Sequence, residues 1–277
     1  MTTITSPTHT TTGTRFATSA DGTQIAYEAR GTGPALVIVE GALCHRTMGV
    51  SAALTEALED RFTVFAYDRR GRGESGAGAT PWSLEREIED LEAVIDAAGG
   101  HAHAFGASSG GALCLEAARR GVAIDRLAVY ELPFIVDGTH APNPIDLPQR
   151  IAGMVDRGQR GEAVKTFMRV VGVPAPFIGL MRVMPAWKKM TAVAHTLPYD
   201  LSLVIARQQS EPLPGGCYDG VAQETLVIAG GKSPEYMRNA QAAIAAALPH
   251  GTLETLRGQT HMVKAKATAP ALAEFLA

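Results

Sequence analysis

Short apolar runs alternate with stretches of helical periodicity along most of this chain. Thr14 to Thr18 and Gln24 to Arg30 read as two strands around the turn Ala20-Asp21-Gly22. Leu36 to Val39 is continuously apolar and β-branched, as in a strand buried on both faces. Ala52 to Glu59 reads as a short helix, and Phe62 to Tyr67 (FTVFAY) as the next strand. From Ser83 to Ala98, Leu84, Ile88, Leu91 and Ile95 recur at helical spacing. Acidic residues fill the other face, and Gly99-Gly100 ends the helix. A strand at Ala102 to Phe105, a helix from Ser109 to Arg120 and a strand at Leu127 to Tyr130 follow.

The alternation breaks near Pro133. From there to Asp219 the chain is rich in Pro, Met and aromatic residues (GVPAPFIGLMRVMPAWKKM, then HTLPYDL) and reads as helices interrupted by proline. It resumes with the strand TLVIA from Thr225, a helix from Glu235 to Leu248, a strand from Thr252 to Leu256 and a helix from Thr268 to Leu276. Alternating strands and helices are met by parallel pairing through right-handed crossovers. The expected architecture is an α/β core at 15–132 and 220–277, interrupted by a helical insertion at 133–219.

Composition adds limits. With 277 residues, 46% of them apolar, the chain can bury one large core. A net charge of −3 offers no electrostatic case for nucleic acid or an anionic membrane as a partner. The Thr-rich residues 1–14 lack the apolar centre of a secretory signal and read as a flexible tail. Cys44, Cys114 and Cys217 have neither disulfide-framework nor metal-ligand spacing, so a cytoplasmic protein without metal or organic cofactor is expected.

The chemistry concentrates around Gly106-Ala107-Ser108-Ser109-Gly110, a G-x-S-x-G pentapeptide between a strand and a helix. In that setting the turn admits only small residues two before and two after its centre. Ser108 is then held up at the sheet edge, while the Ser109 N–H points at the reacting centre from the positive end of the helix. Gly71-Arg72-Gly73-Glu74-Ser75-Gly76 also matches the dinucleotide pattern G-x-G-x-x-G. Ala77 to Pro81 offers no helix for a pyrophosphate to cap, so it reads as a structural turn whose arginines pair with carboxylates.

At these residues the chain resembles the α/β-hydrolase family, over nearly its whole length. The landmarks are ALVIV followed by Glu40-Gly41-Ala42, the motif from Asp68 to Ser75, the turn at Ser108, an insertion after the next strand, and His261 in GQTHMV. The resemblance implies a mostly parallel sheet flanked by helices, with the insertion as a cap over the active site. It also implies that the N–H of Ala42 joins that of Ser109 in an oxyanion hole, with His261 as the base.

Two positions depart from the commoner family pattern. The loop after TLVIA, where an Asp is usual, reads Ala229 to Glu235 and has Ser233 nearest that slot. Some members take the acid from the strand after the turn helix, which here ends at Glu131. A carboxylate at the end of an apolar strand needs a partner if it is buried. Glu131 is the favoured acid and Glu235 the alternative. The second departure is Glu40, where the family often has His.

The expected activity is a serine hydrolase acting through Ser108, His261 and Glu131 on an ester, thioester or related acyl bond. Phe167, Phe177, Ile178, Leu180, Met181, Met184 and Trp187 make the insertion apolar, favouring a hydrophobic small-molecule substrate. No nucleic-acid or membrane partner is expected, and a homodimer is left open. Two alternatives stand: a non-hydrolytic elimination, cyclisation or carbon–carbon cleavage at the same site, or a non-catalytic binding protein of this fold.

Overall fold

The computed structural model describes residues 11–79 and 81–277. Its first half runs β1 (Thr11–Thr18), β2 (Gln24–Gly31), β3 (Ala35–Val39), α1 (Ser51–Leu58), β4 (Thr63–Tyr67), α2 (Leu84–Ala97), β5 (Ala102–Ala107), α3 (Ser109–Arg119) and β6 (Ile124–Tyr130). Five helices follow: α4 (Leu147–Asp156), α5 (Arg160–Val170), α6 (Ala175–Met181), α7 (Pro185–Ala192) and α8 (Leu197–Val204). The chain closes with β7 (Thr225–Gly230), α9 (Glu235–Ala247), β8 (Gly251–Leu256) and α10 (Ala265–Phe275).

The strands form one sheet in the order β1-β2-β4-β3-β5-β6-β7-β8. From β4 to β8 every pairing is parallel, and β1 and β2 add an antiparallel edge. Both faces are covered, as an all-parallel region requires. In β3, Val37 and Val39 enter a core shared with Leu91, Leu113 and Ile244 of α2, α3 and α9. Leu36 and Ile38 point to the other face, against Leu54 and Leu58 of α1 and Leu272 of α10. This two-sided burial explains the unbroken apolar run.

β1 begins at Thr11, inside the stretch expected to be a flexible tail, so residues 11–14 belong to the sheet edge. The rest of that stretch lies outside the described residues. The last helix starts three residues before the expected Thr268 and carries Pro270 inside it. No helix among the described residues is long and apolar enough to cross a membrane.

Candidate active site

The C-terminal ends of β3, β5, β6 and β8 deliver the candidate residues to one edge of the sheet, where parallel α/β sheets present their crevices. Ser108 bridges β5 and α3 with φ 55° and ψ −124°, a strained conformation for a residue with a side chain. Close approach forces the flanking glycines. A Cβ on Gly106 would lie 2.6 Å from the Gly110 carbonyl oxygen, and one on Gly110 would lie 2.3 Å from that of Val39. The Ser108 N–H donates to the Tyr130 carbonyl at 2.9 Å, tying the turn to β6.

The loop after β3 packs against this turn. A Cβ on Gly41 would meet Ser108 Cβ at 3.1 Å and Ser108 Oγ at 3.7 Å, and Ala42 is the next residue. Leu43 continues the loop at φ 62°. Glu40 is buried, and its Oε1 accepts from the Ser51 N–H at 2.7 Å and the Ser51 hydroxyl at 2.6 Å. Burial outweighs those bonds and raises the Glu40 carboxyl above its usual value. Burial also pushes the Cys44 thiol up to about 12, so no thiolate competes with Ser108 here at neutral pH.

Glu131 follows β6 in the left-handed region, φ 43°, with no solvent exposure. Its Oε1 accepts from the Gly230 N–H at 2.6 Å, and its Oε2 lies 3.2 Å from His261 Nδ1. The His261 side chain keeps 39% of its surface exposed. Its loop is anchored by the Tyr130 hydroxyl, which donates to the Thr260 carbonyl at 2.6 Å. Glu235 is exposed in the first turn of α9, and among the described residues no carboxylate other than Glu131 bonds to His261. No hydrogen bond joins Ser108 Oγ to His261 among the described residues, a contact that commonly tightens only when substrate enters.

Three of the other histidines have partners away from Ser108. His101 pairs with Asp125 at 2.7 Å, His45 contacts Thr47 Oγ1 at 3.1 Å, and the His140 ring packs on Tyr236. His9 lies outside the described residues.

The motif from Asp68 to Ser75 is a charge cluster, and among the described residues the next helix after it starts at Leu84. Arg70 pairs with Asp90 and Asp21, and Arg69 with Glu87 and Asp200. Arg72 pairs with Asp200 at 2.6 Å and donates to the Gly41 carbonyl at 2.7 Å. Asp200 and Arg72 therefore belong to the surroundings of the site; the sequence reading paired the arginines of this turn with carboxylates but did not single out Asp200. The available signal was one acid, Asp200, in the otherwise uncharged stretch HTLPYDL.

The inserted helices rest on the loop that carries Ala42. Leu43 is buried among Leu147, Ile151, Val164, Leu197 and Leu201. The apolar residues named in the insertion divide between packing and exposure. Phe167, Met181 and Trp187 pack among the inserted helices, and Ile178 is buried. Phe177, Leu180 and Met184 are exposed at 61%, 60% and 49%. Phe177 and Leu180 lie on α6, whose one buried residue is Ile178, and Met184 caps α7. A cleft of about 370 Å³ opens beside Thr139, His140, Val171, Glu235 and Tyr236, and neither Ser108 nor His261 lines it.

The model of a family described as the alpha/beta hydrolase family matches residues 36–269. An alpha/beta hydrolase from Sphaerobacter thermophilus DSM 20745 is 44% identical, with a TM-score of 0.87 over 95% of this chain and 100% of that one. A hydrolase from Pseudomonas aeruginosa PA01 is 26% identical, with a TM-score of 0.71 over 95% of this chain and 98% of that one. A thermophilic esterase from Thermogutta terrifontis, solved with malate bound, shares the fold at 22% identity, with a TM-score of 0.70 over 96% of this chain and 98% of that one. Among curated proteins, none matches.

Proposed function

The chain belongs to the alpha/beta hydrolase family, and on that premise we propose that it is a serine hydrolase of esters, thioesters or related acyl bonds. Ser108, His261 and Glu131 form its triad. The observation that carries this reading is the contact of the buried Glu131 carboxylate with His261 Nδ1 at 3.2 Å, on the sheet edge that also presents Ser108. A carboxylate there orients the imidazole so that Nε2 faces the nucleophile, and stabilises the imidazolium that forms.

In this mechanism Ser108 Oγ attacks the acyl carbon as its proton passes to His261 Nε2. The N–H groups of Ala42 and Ser109 receive the oxyanion. Collapse breaks the bond to the leaving group, which takes the proton from His261. Water then repeats the sequence and releases the acid, returning Ser108 to its hydroxyl form. The five inserted helices act as the cap, and their apolar content supports a hydrophobic, uncharged substrate.

A second reading keeps the same residues in other roles. In it, His261 moves a proton in an elimination or carbon–carbon cleavage, and Ser108 only orients the substrate. Reaction with a fluorophosphonate probe, read by mass spectrometry of the peptide containing Ser108, decides between them. Covalent labelling at Ser108 supports the hydrolase. An unlabelled protein that still turns over a substrate supports the second reading.

A further inference from the structure

One buried carboxylate has no part in the mechanism above, yet it bonds Ser109 directly and reaches the Gly41 carbonyl through Arg72. Asp200, in α8 of the insertion, is only 2% exposed. Its Oδ1 accepts from the Ser109 hydroxyl and from Arg69 Nη1, each at 2.7 Å. Its Oδ2 accepts from Arg72 Nη2 at 2.6 Å. The rest of the Arg72 guanidinium is also engaged. Nη1 donates to the Gly41 carbonyl at 2.7 Å and the Cys44 carbonyl at 3.1 Å, and Nε to Thr196 Oγ1 at 3.1 Å.

We propose that Asp200 is a positioning residue for both oxyanion donors, acting on Ala42 through Arg72 and the Gly41 carbonyl, and on Ser109 through its hydroxyl. The inference rests on the acyl-transfer reading of the site. The Gly41 carbonyl and the Ala42 N–H are opposite ends of one planar trans peptide. Fixing the oxygen therefore fixes the direction in which the N–H points. A guanidinium does this well, because its donors form a rigid fork and every nitrogen of Arg72 is already engaged. The loop needs such support, since Leu43 at φ 62° is strained and holds only if its surroundings over-determine it.

A simple structural role explains less. A buried ion pair contributes little net stability, and apolar residues of similar volume often do as well. Arg69 already has a two-pronged partner in Glu87, with bonds of 2.7 Å to each carboxylate oxygen. Asp200 is thus an additional carboxylate, and its remaining bonds lead to Ser109 and to the peptide of Ala42. Burial alone would raise its carboxyl, but Arg72 and Arg69 outweigh burial and hold it below the usual carboxylate range. Because Asp200 belongs to the insertion, seating α8 on α3 and aligning the two donors become one event.

The test uses the full chain with p-nitrophenyl butyrate and the fluorophosphonate probe. In Asp200→Asn, kcat and the labelling rate at Ser108 are expected to fall together by about 10²–10³, the usual effect of losing an oxyanion donor, while KM stays within about twofold. Binding of a trifluoromethyl ketone, whose adduct places an oxyanion in the hole, should weaken in parallel. Asp90→Asn is the control. It breaks a buried pair with Arg70, at 2.7 and 2.8 Å, that does not reach Gly41. It should lower the melting temperature and leave kcat unchanged. If Asp200→Asn does not fold, Arg72→Lys, which keeps the charge but loses the fork, carries the same expectation. A folded variant with wild-type kcat and labelling overturns the inference alone. A wild-type protein that neither labels nor turns over overturns the hydrolase reading and the inference with it.

Discussion

Glu131 Oε1 accepts the backbone N–H of Gly230 at 2.6 Å, which leaves Oε2 aimed at His261. The carboxylate is held from β7 while it faces the loop after β8, so its direction does not depend on the histidine. Glu131→Gln is expected to cut kcat by up to about 10⁴, as loss of an orienting acid can, and Glu235→Gln should stay near wild type. Steady-state rates on one ester decide it. A larger loss in Glu235→Gln than in Glu131→Gln would reverse the assignment.

Ser108→Ala is expected to abolish turnover of a p-nitrophenyl ester without changing the circular dichroism spectrum. Ser109→Ala keeps the backbone N–H but loses the hydroxyl bond to Asp200. It should cost about tenfold in kcat, the scale of one hydrogen bond to a charged group. Undiminished activity in Ser108→Ala would remove that serine as nucleophile.

Gly106→Ala and Gly110→Ala test the tightness of the turn. Each new Cβ would meet backbone at 2.6 Å or less, which no rotamer relieves. Each is expected to lower stability by about 1–3 kcal/mol or more. The denaturant midpoint, at unchanged slope, measures this. A midpoint equal to wild type would show that the turn can relax.

Glu40 supplies a pH prediction. Its carboxyl is raised by burial, so the folded state holds the proton more tightly than the unfolded one. The stability it contributes is present below the unfolded value and is lost as pH rises through the folded one. Glu40→Gln keeps an oxygen for Ser51 and cannot ionise. Its melting temperature relative to wild type should therefore climb over the range from the ordinary carboxylate value upward. A difference that is flat or declines over that range counts against a raised carboxyl.

By itself, the sequence determined the elements and their layering. Apolar runs such as Leu36 to Val39 and helical spacing such as Leu84, Ile88 and Leu91 are local properties, and burial on both faces of a parallel sheet follows from them. The backbone of the Ser108 turn was equally legible, because its small neighbours at 106 and 110 lie within the same few residues. The start of β1 was not. Thr11 pairs with Ala29 on the sheet edge, ahead of a register shift before Arg15, and such an edge pairing needs no apolar pattern. The contact of Glu131 with His261, 130 positions apart, depends on how the ends of β6, β7 and β8 line up. Before that alignment, Glu131 and Glu235 were both open. Asp200 was decided by tertiary structure alone. A single acid in an apolar stretch carries no mark of its partners, and only the docking of α8 on α3 joins it to Ser109, Arg69 and Arg72. Burial without solvent makes those long-range pairings obligatory, and no spacing along the chain encodes them.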